Sequence, residues 1–362
     1  MKQVIAVATA VFLAGSASFA DDRSDKQAFK EAYRQFQEAS AAGRPWLARE
    51  PAKQAYELGM KIFGEDHANT AVLTLNYGRL VTDSKEARKI LALAVKRYET
   101  LYGEDSDKMI DPLMALATKT AADGSLSGAS RLYRRALKLA ETHYPDNDLV
   151  LGIIHTEMGK IALHEAHSVD AMRTLKKAKK LLETIEDPEA TPYLAETEFY
   201  MGQFQLAMNR NRKATKHLLA SLEIYEDLAP NSTNTMTNHA FLIEAYEKMG
   251  KSDEATKHCK AIGAKSPQSP DQDYDPVYRV KPTYPLAAQR AGKEGYAIIE
   301  VTVDKDGFVQ SPFVVEVDGH DAFAKSSLEA VQKFRYAPRY ENGEAVDTTG
   351  VRYRFTYGLS NR

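Results

Sequence analysis

Cysteine and tryptophan are nearly absent from this 362-residue chain, which contains one of each. A single cysteine cannot close an intramolecular disulfide, and it excludes every zinc site that needs two or more thiolate ligands. No charge sign dominates either, because 48 lysines and arginines face 50 aspartates and glutamates. This balance argues against a protein that holds nucleic acid by neutralising many phosphates. The length and the 43% of hydrophobic residues favour a folded chain of two or more domains.

Long hydrophobic runs are missing beyond the first twenty residues. Residues 1–20 combine a positive charge at Lys2, an apolar stretch over 4–14 and the small-x-small site Ser18-Phe19-Ala20. As a helix the apolar stretch would span about 16 Å, against a hydrocarbon core of about 30 Å. We therefore expect a cleaved signal peptide, a mature protein without a direct membrane span, and a Gram-negative periplasmic location. The alternative is an uncleaved inner-membrane anchor that leaves the protein facing the periplasm.

Pairs of small residues seven positions apart recur along the first two thirds of the chain. The strict pairs are Ala48/Ala55, Ala87/Ala94, Ala129/Ala136 and Ala171/Ala178. Their first members repeat with a period of about 40 residues, which Ala214 and Ala255 continue. Apolar residues at helical spacing lie between turn residues such as Asp123-Gly124. The pattern predicts an all-α solenoid of about six helix pairs over 24–263, in which stacked neighbours form the core.

These repeats resemble tetratricopeptide repeats (TPR) in a longer variant, and the best match is LIEAYEKMGKSDEA at 242–255. The resemblance implies a curved inner surface that binds a protein or peptide. That surface is expected to carry mixed residues, among them Arg79, Lys160, His164 and Gln203. No basic cluster for gripping a chain terminus is evident in the sequence, so the ligand stays open.

A change of composition at 264–278, AKSPQSPDQDYDPVY, predicts a Pro/Asp-rich linker to a second domain over 279–358. Alternating residues predict strands at 296–303, 308–317 and 349–357, with an Asp-Gly hairpin between the first two. Helical spacing over 320–334 completes a small α+β domain of order β-β-α-β.

The landmark residues of this second domain are Tyr284, Pro285, Gly295, Gly307, Phe334, Tyr336 and Pro338. Tyr284-Pro285 favours an extended lead-in, and Gly295 suits a tight start to the first strand. Phe334 and Tyr336 are expected to pin the helix on the sheet, and Pro338 to stop that helix. In this order and spacing the residues resemble the C-terminal domain of TonB-family proteins.

In the TonB family the last strand binds an extended segment of an outer-membrane transporter, adding a strand to the sheet. Carried over, the resemblance implies a partner-binding edge that consists of Val351, Arg352, Tyr353, Arg354, Phe355, Thr356 and Tyr357. Arg352, Arg354 and Thr356 would share one face, and the remaining residues the other. The alternative is a charged edge that only protects against aggregation.

No catalytic or cofactor-binding motif emerges, and we expect a protein that is not an enzyme and holds no metal. His155, His164 and His167 lack the spacing of a metalloprotease site, and Pro276 breaks a calcium-loop pattern that begins at Asp271. His258-Cys259 is expected to contain a part-buried, inert thiol.

Two binding functions stay open, and a metal-dependent hydrolase that uses His155, His164 and His167 is a third possibility. The first is a periplasmic adaptor, in which the repeats bind one protein and the TonB-like domain another, with an outer-membrane TonB-dependent transporter as a candidate. The second is a TonB-type energy transducer that keeps its N-terminal helix as an anchor. The long Pro-rich rod of that family is absent from the sequence, which favours the adaptor.

Overall fold

A computed structural model describes residues 20–165, 168–265 and 274–359 of the chain. The predicted signal peptide, apart from Ala20, lies outside these residues, as do His167, Asp271 and positions 266–273 of the predicted linker. The chain divides into two compact units, residues 1–200 and residues 201–362. Among the described residues, no helix is long and apolar enough to cross a membrane.

Twelve α-helices follow one another in the described residues up to Lys265, as the sequence predicts. They are α1 Ala20–Ala41, α2 Pro45–Phe63, α3 Ala68–Leu80, α4 Ser84–Tyr102, α5 Ile110–Ala122, α6 Leu126–His143, α7 Asp148–His164, α8 Ser168–Leu182, α9 Thr191–Ala207, α10 Asn211–Leu228, α11 Thr233–Glu247 and α12 Ser252–Lys265. A short 3₁₀ turn, Asp107–Met109, precedes α5. The turn at Asp123-Gly124 separates α5 from α6, as expected.

The small residues of the repeat are buried where paired helices touch. All eight alanines of the four strict pairs are fully buried. At Gly159 of α7 a Cβ atom would lie 2.6 Å from the side chain of Leu175 in α8, so a larger residue would displace that leucine. Gly202 of α9 stands in the same relation to Leu218 of α10. The paired helices therefore approach each other closely at these two glycines.

The C-terminal part of the second unit is a three-stranded antiparallel sheet of order β2-β1-β5. Its elements are α13 Leu286–Arg290, β1 Gly295–Val303, β2 Val309–Asp318, α14 Ala322–Val331, β3 Arg339–Glu341, β4 Glu344–Val346 and β5 Thr348–Tyr357. The three predicted strands are present, whereas the short helix α13 and the β3-β4 hairpin were not predicted. The chain is thus a TPR-like helical array followed by a small α+β domain.

The predicted helix over 320–334 is too long, and the expected stop at Pro338 is wrong. Helix α14 ends at Val331, and Phe334 donates its N–H to the carbonyl of Val331 in a closing turn. The next residue, Arg335, pairs in an antiparallel bridge with Tyr278. Backbone pairing in the extended stretch, rather than a proline, therefore ends the helix.

Two tyrosines of the predicted linker pack against the C-terminal domain. The hydroxyl of Tyr274 donates to the carbonyl oxygen of Ala337 at 2.6 Å, and its ring lies 5.2 Å from that of Tyr336. Tyr278 exchanges backbone hydrogen bonds with Arg335. The domain boundaries at 264–278 stay a prediction.

Candidate partner-binding edge of the C-terminal sheet

Strand β5 is an outer strand of the sheet, since β1 is its one neighbour among the described residues. Its side chains alternate as predicted. Arg352, Arg354 and Thr356 are exposed, and Val351, Phe355 and Tyr357 are buried. Tyr353 is half-buried on the inner face.

A hydrogen bond at the end of β1 shows towards which neighbouring strand each of its backbone groups points. The N–H of Asp304, the residue after β1, donates to the carbonyl oxygen of Phe308 at 2.9 Å and so points towards β2. Backbone groups of successive residues point to opposite edges of a strand. The odd-numbered residues of β1, such as Ala297 and Ile299, therefore direct their N–H and C=O groups towards β5.

The register then fixes which backbone groups of β5 are available. Ile299 lies opposite Tyr353 and Ala297 opposite Phe355, so these two residues of β5 bond to β1. The N–H and C=O groups of Arg352, Arg354 and Thr356 consequently point to the outer edge. An added strand would bond to these three residues, whose side chains all lie on the exposed face.

The exposed face of the sheet carries ordered charges next to this edge. The Nε atom of Arg352 donates to Glu300 of β1 at 2.7 Å. The guanidinium of Arg354 lies over the ring of Tyr296, 3.8 Å from its centroid. The Tyr296 hydroxyl in turn donates to Glu316 of β2 at 2.5 Å, which raises the pKa of the tyrosine.

The inner face is an aromatic core that fixes β5. The ring of Tyr357 stacks on that of Phe323 in α14, with centroids 4.1 Å apart, and Phe334 contacts Phe355. Tyr284 meets Phe323 and Tyr357 edge-on and donates its hydroxyl proton to the carbonyl of Lys293 at 2.6 Å.

The landmark glycines are required for close backbone contacts. Gly295 has φ 157° and Gly307 has φ 83°, in a region that disfavours side chains. A Cβ at Gly295 would overlap the carbonyl oxygen of Asp318, and one at Gly307 that of Tyr336. The N–H of Tyr336 donates to the carbonyl of Gly307 at 2.9 Å. Phe334 and Tyr336 are buried in the domain core, as expected.

The remaining landmark prolines have local roles. Pro285 is the residue that caps the start of α13, with an extended backbone. The carbonyl of Pro338 lies against Gly263 of α12, so closely that a Cβ at this glycine would overlap it. Pro338 thus contributes to packing on α12.

The most buried cation of the described chain, Arg335, was not recognised in the sequence. It is 2% exposed, forms an ion pair with Glu247 of α11 and donates to Thr256 Oγ1 of α12 at 2.7 Å. Its guanidinium lies 3.7 Å from the centroid of Phe308. The only sequence signal was a cation within the aromatic run Lys333-Phe334-Arg335-Tyr336.

Two of the residues predicted for the inner surface, Arg79 and Lys160, form ion pairs between neighbouring repeats. Arg79 of α3 pairs with Asp111 of α5, and Lys160 of α7 lies 3.2 Å from Glu196 of α9. Burial raises the pKa of Glu157, which also lies 3.8 Å from Lys160. Of the other two predicted inner residues, His164 is exposed and Gln203 is half-buried.

The histidines and the cysteine do not form a metal centre in the described residues, where no group of three or more metal-ligating side chains occurs. Burial lowers the pKa of His155 to about 4. Cys259 is completely buried, more than predicted, and burial raises the pKa of its thiol to about 12. Such a thiol is a poor nucleophile at neutral pH.

A contact between two buried histidines was not predicted from the sequence. The Nδ1 atoms of His239 in α11 and His258 in α12 lie 2.9 Å apart. Burial lowers the pKa of both, that of His258 to about 4. The spacing of nineteen residues across a helical hairpin carries no sequence signal of contact.

Solved structures similar to this chain are helical arrays. Aspartyl phosphate phosphatase F from Bacillus subtilis has a TM-score of 0.50 at 12% identity, with coverage of 70% of this chain and 77% of that one. A second similar structure contains the TPR-like repeats of a kinesin light chain from Podospora anserina, with a TM-score of 0.45 at 13% identity. The match covers 58% of this chain and 99% of that one. For pilF of Pseudomonas aeruginosa the TM-score is 0.44 at 12% identity, covering 68% and 95%.

Comparison with curated proteins finds no matching sequence. The family model described as "Gram-negative bacterial TonB protein C-terminal" matches residues 280–359. TPR and TonB C-terminal modules typically bind proteins and are typically not catalytic, and the latter indicates the Gram-negative cell envelope. From its order of helices and from this family match, the chain carries TPR-like helical repeats followed by a TonB C-terminal domain.

Proposed function

We propose that the protein is a periplasmic adaptor of a Gram-negative bacterium. In this function the repeat array binds one protein or peptide, and the C-terminal domain binds an envelope partner by adding a strand of that partner to β5. An outer-membrane TonB-dependent transporter is the leading candidate for the second partner. The match of residues 280–359 to the TonB C-terminal family supports the envelope assignment.

The observation that carries the proposal is the outer position of β5. Three of its residues direct backbone N–H and C=O groups away from β1, and such groups are the template that β-augmentation needs. The side chains at these positions are exposed, so a partner strand can approach them.

Substitution by proline tests the edge without removing the fold. Arg354→Pro deletes one outward N–H, which a sheet tolerates at an outer strand, whereas Tyr353→Pro would delete a bond to β1. We expect Arg354→Pro to weaken partner binding at least tenfold and Arg354→Ala, which keeps the N–H, to weaken it no more than about fivefold. Binding is measured by photo-crosslinking in intact cells from a reactive residue at Thr356, with exposed Lys325 as the control position.

The proposal would be contradicted by crosslinks from Thr356 that persist unchanged in the Arg354→Pro variant. Fractionation of the same cells, with N-terminal sequencing of the protein, tests the location. A start at Asp21 in the periplasmic fraction supports the adaptor, and retention of Met1 in the inner membrane supports the energy transducer instead.

A further inference from the structure

We propose that the partner strand at β5 carries acidic side chains at two alternating positions, opposite Arg352 and Arg354, with an apolar residue between them. This inference rests on the proposed function, because it takes strand addition at β5 as given. It specifies the chemistry of the segment that is added.

The first support is a row of side chains across the exposed face of the sheet. Glu300 of β1 lies directly opposite Arg352 of β5, and their side chains form an ion pair at 2.7 Å. The guanidinium of Arg352 reaches towards β1 in this pair, yet its side chain remains 64% exposed on the outer face. An anion placed on the other side of Arg352 can therefore reach its guanidinium.

A second row ends in the same way. Arg354 lies opposite Ile298, and its guanidinium rests on the ring of Tyr296, whose hydroxyl donates to Glu316 of β2. The acidic group again lies on the β2 side and the cation at the edge. This stacking holds the guanidinium over β1 on the exposed face, where Arg354 stays accessible to a carboxylate of a strand added to β5.

A strand that pairs with β5 continues both rows. Residues directly opposite each other in neighbouring strands share one face of the sheet, so two partner residues two positions apart would meet Arg352 and Arg354. Opposite charges at such positions favour pairing by roughly two- to fivefold each, and like charges disfavour it by similar factors. A partner with acidic residues is thus preferred over one with basic residues.

The residue between the two acids would project to the inner face. There it would lie opposite Tyr353, which is half-buried and makes an edge-on contact with Phe334 at 5.1 Å. An apolar side chain can extend this aromatic surface, whereas a charged one would lose part of its hydration. The partner pattern is therefore acidic–apolar–acidic in an extended segment.

The same charges argue against a second copy of this chain as the occupant. Antiparallel pairing of two β5 strands about Tyr353 or Arg354 would set arginine opposite arginine, which is unfavourable. A segment of a different protein, with complementary charge, is the occupant that this edge fits.

The test uses two fluorescently labelled hexapeptides with blocked ends. One has glutamates at the second and fourth positions and valine between them, and the other has lysines at these positions. Binding to the full-length protein is followed by fluorescence anisotropy. We expect the glutamate peptide to bind at least tenfold more tightly than the lysine peptide, because attraction and repulsion multiply over the two positions. Arg354→Glu reverses one of the two charges and should remove most of the difference in affinity between the two peptides. Arg354→Gln only removes that charge and should lower the difference in part.

The other outcomes separate this inference from the proposed function. If both peptides bind equally and Arg354→Pro abolishes both, the edge binds a strand but the acidic preference is wrong. If Arg354→Pro leaves binding of the glutamate peptide unchanged, the peptide is held elsewhere and the inference fails. Absence of binding by either peptide would also overturn it, while crosslinks from Thr356 in cells would still support strand addition.

Discussion

Arg335, between α14 and β3, joins the C-terminal domain to helices α11 and α12 through a buried set of polar contacts. Its buried guanidinium pairs with Glu247, donates to Thr256 and to the carbonyl of Asp306, and covers the ring of Phe308. A buried ion pair is not by itself stabilising, yet loss of one partner leaves an uncompensated buried charge. Removal of Arg335 would therefore destabilise the fold mainly because the carboxylate of Glu247 would stay buried without its partner.

We predict that Arg335→Met lowers the free energy of unfolding by about 3–5 kcal/mol, because the Glu247 carboxylate loses its partner. Arg352→Met, which removes the exposed pair with Glu300, should cost less than about 1 kcal/mol. The double variant Arg335→Met/Glu247→Leu should regain much of the loss. Chemical denaturation followed by circular dichroism measures these differences, and equal losses for the two arginine variants would contradict the assignment.

Helices α10, α11 and α12 bring two buried histidines together with charged neighbours. His239 and His258 approach through their Nδ1 atoms, so one ring must donate and the other accept, which requires an unprotonated nitrogen. Glu226 and Lys265 lie beside His239, and Tyr246 stacks on His258. Because burial lowers the pKa of both histidines, the unfolded chain binds protons more readily than the folded one.

We predict that the contribution of this pair to the free energy of unfolding is constant above pH 6.5. It should fall as the pH drops from 6.5 to about 4. His258→Gln keeps a hydrogen-bond donor and cannot be protonated in this range, so the decline should become smaller. His155 also has a low pKa and accounts for part of the remaining slope. Thermal unfolding at several pH values measures the decline in stability. Identical slopes for the wild-type protein and for His258→Gln would contradict the prediction.

The elements differ in how far the sequence predicts them. The alanine pairs and the alternation in β5 are local patterns, so the helices and the exposed face of Arg352 and Arg354 could be predicted. The β3-β4 hairpin consists of two three-residue strands, too short for a periodic signal. The His239–His258 contact and the burial of Arg335 depend on tertiary packing, which propensity and spacing do not record.

At the scale of the whole molecule, the second compact unit extends beyond the family match of 280–359. Helix α12 contributes Lys260, whose Nζ lies 2.6 Å from Asp306, and Cys259, which belongs to one buried cluster with Ala337. Together with Glu247 and Thr256 these contacts join the last helix pair to the C-terminal domain. The last helix pair therefore belongs to the same compact unit as β5.

We predict that a fragment of residues 274–359 is less stable than one of residues 210–359, by on the order of a few kcal/mol, because it lacks these contacts. Urea denaturation of both fragments measures the difference. Arg335→Met provides an internal control, since it should destabilise the longer fragment strongly and the shorter one little, where Glu247 is missing. Equal unfolding midpoints, or an equal effect of Arg335→Met in both, would show that β5 is held without the last repeat.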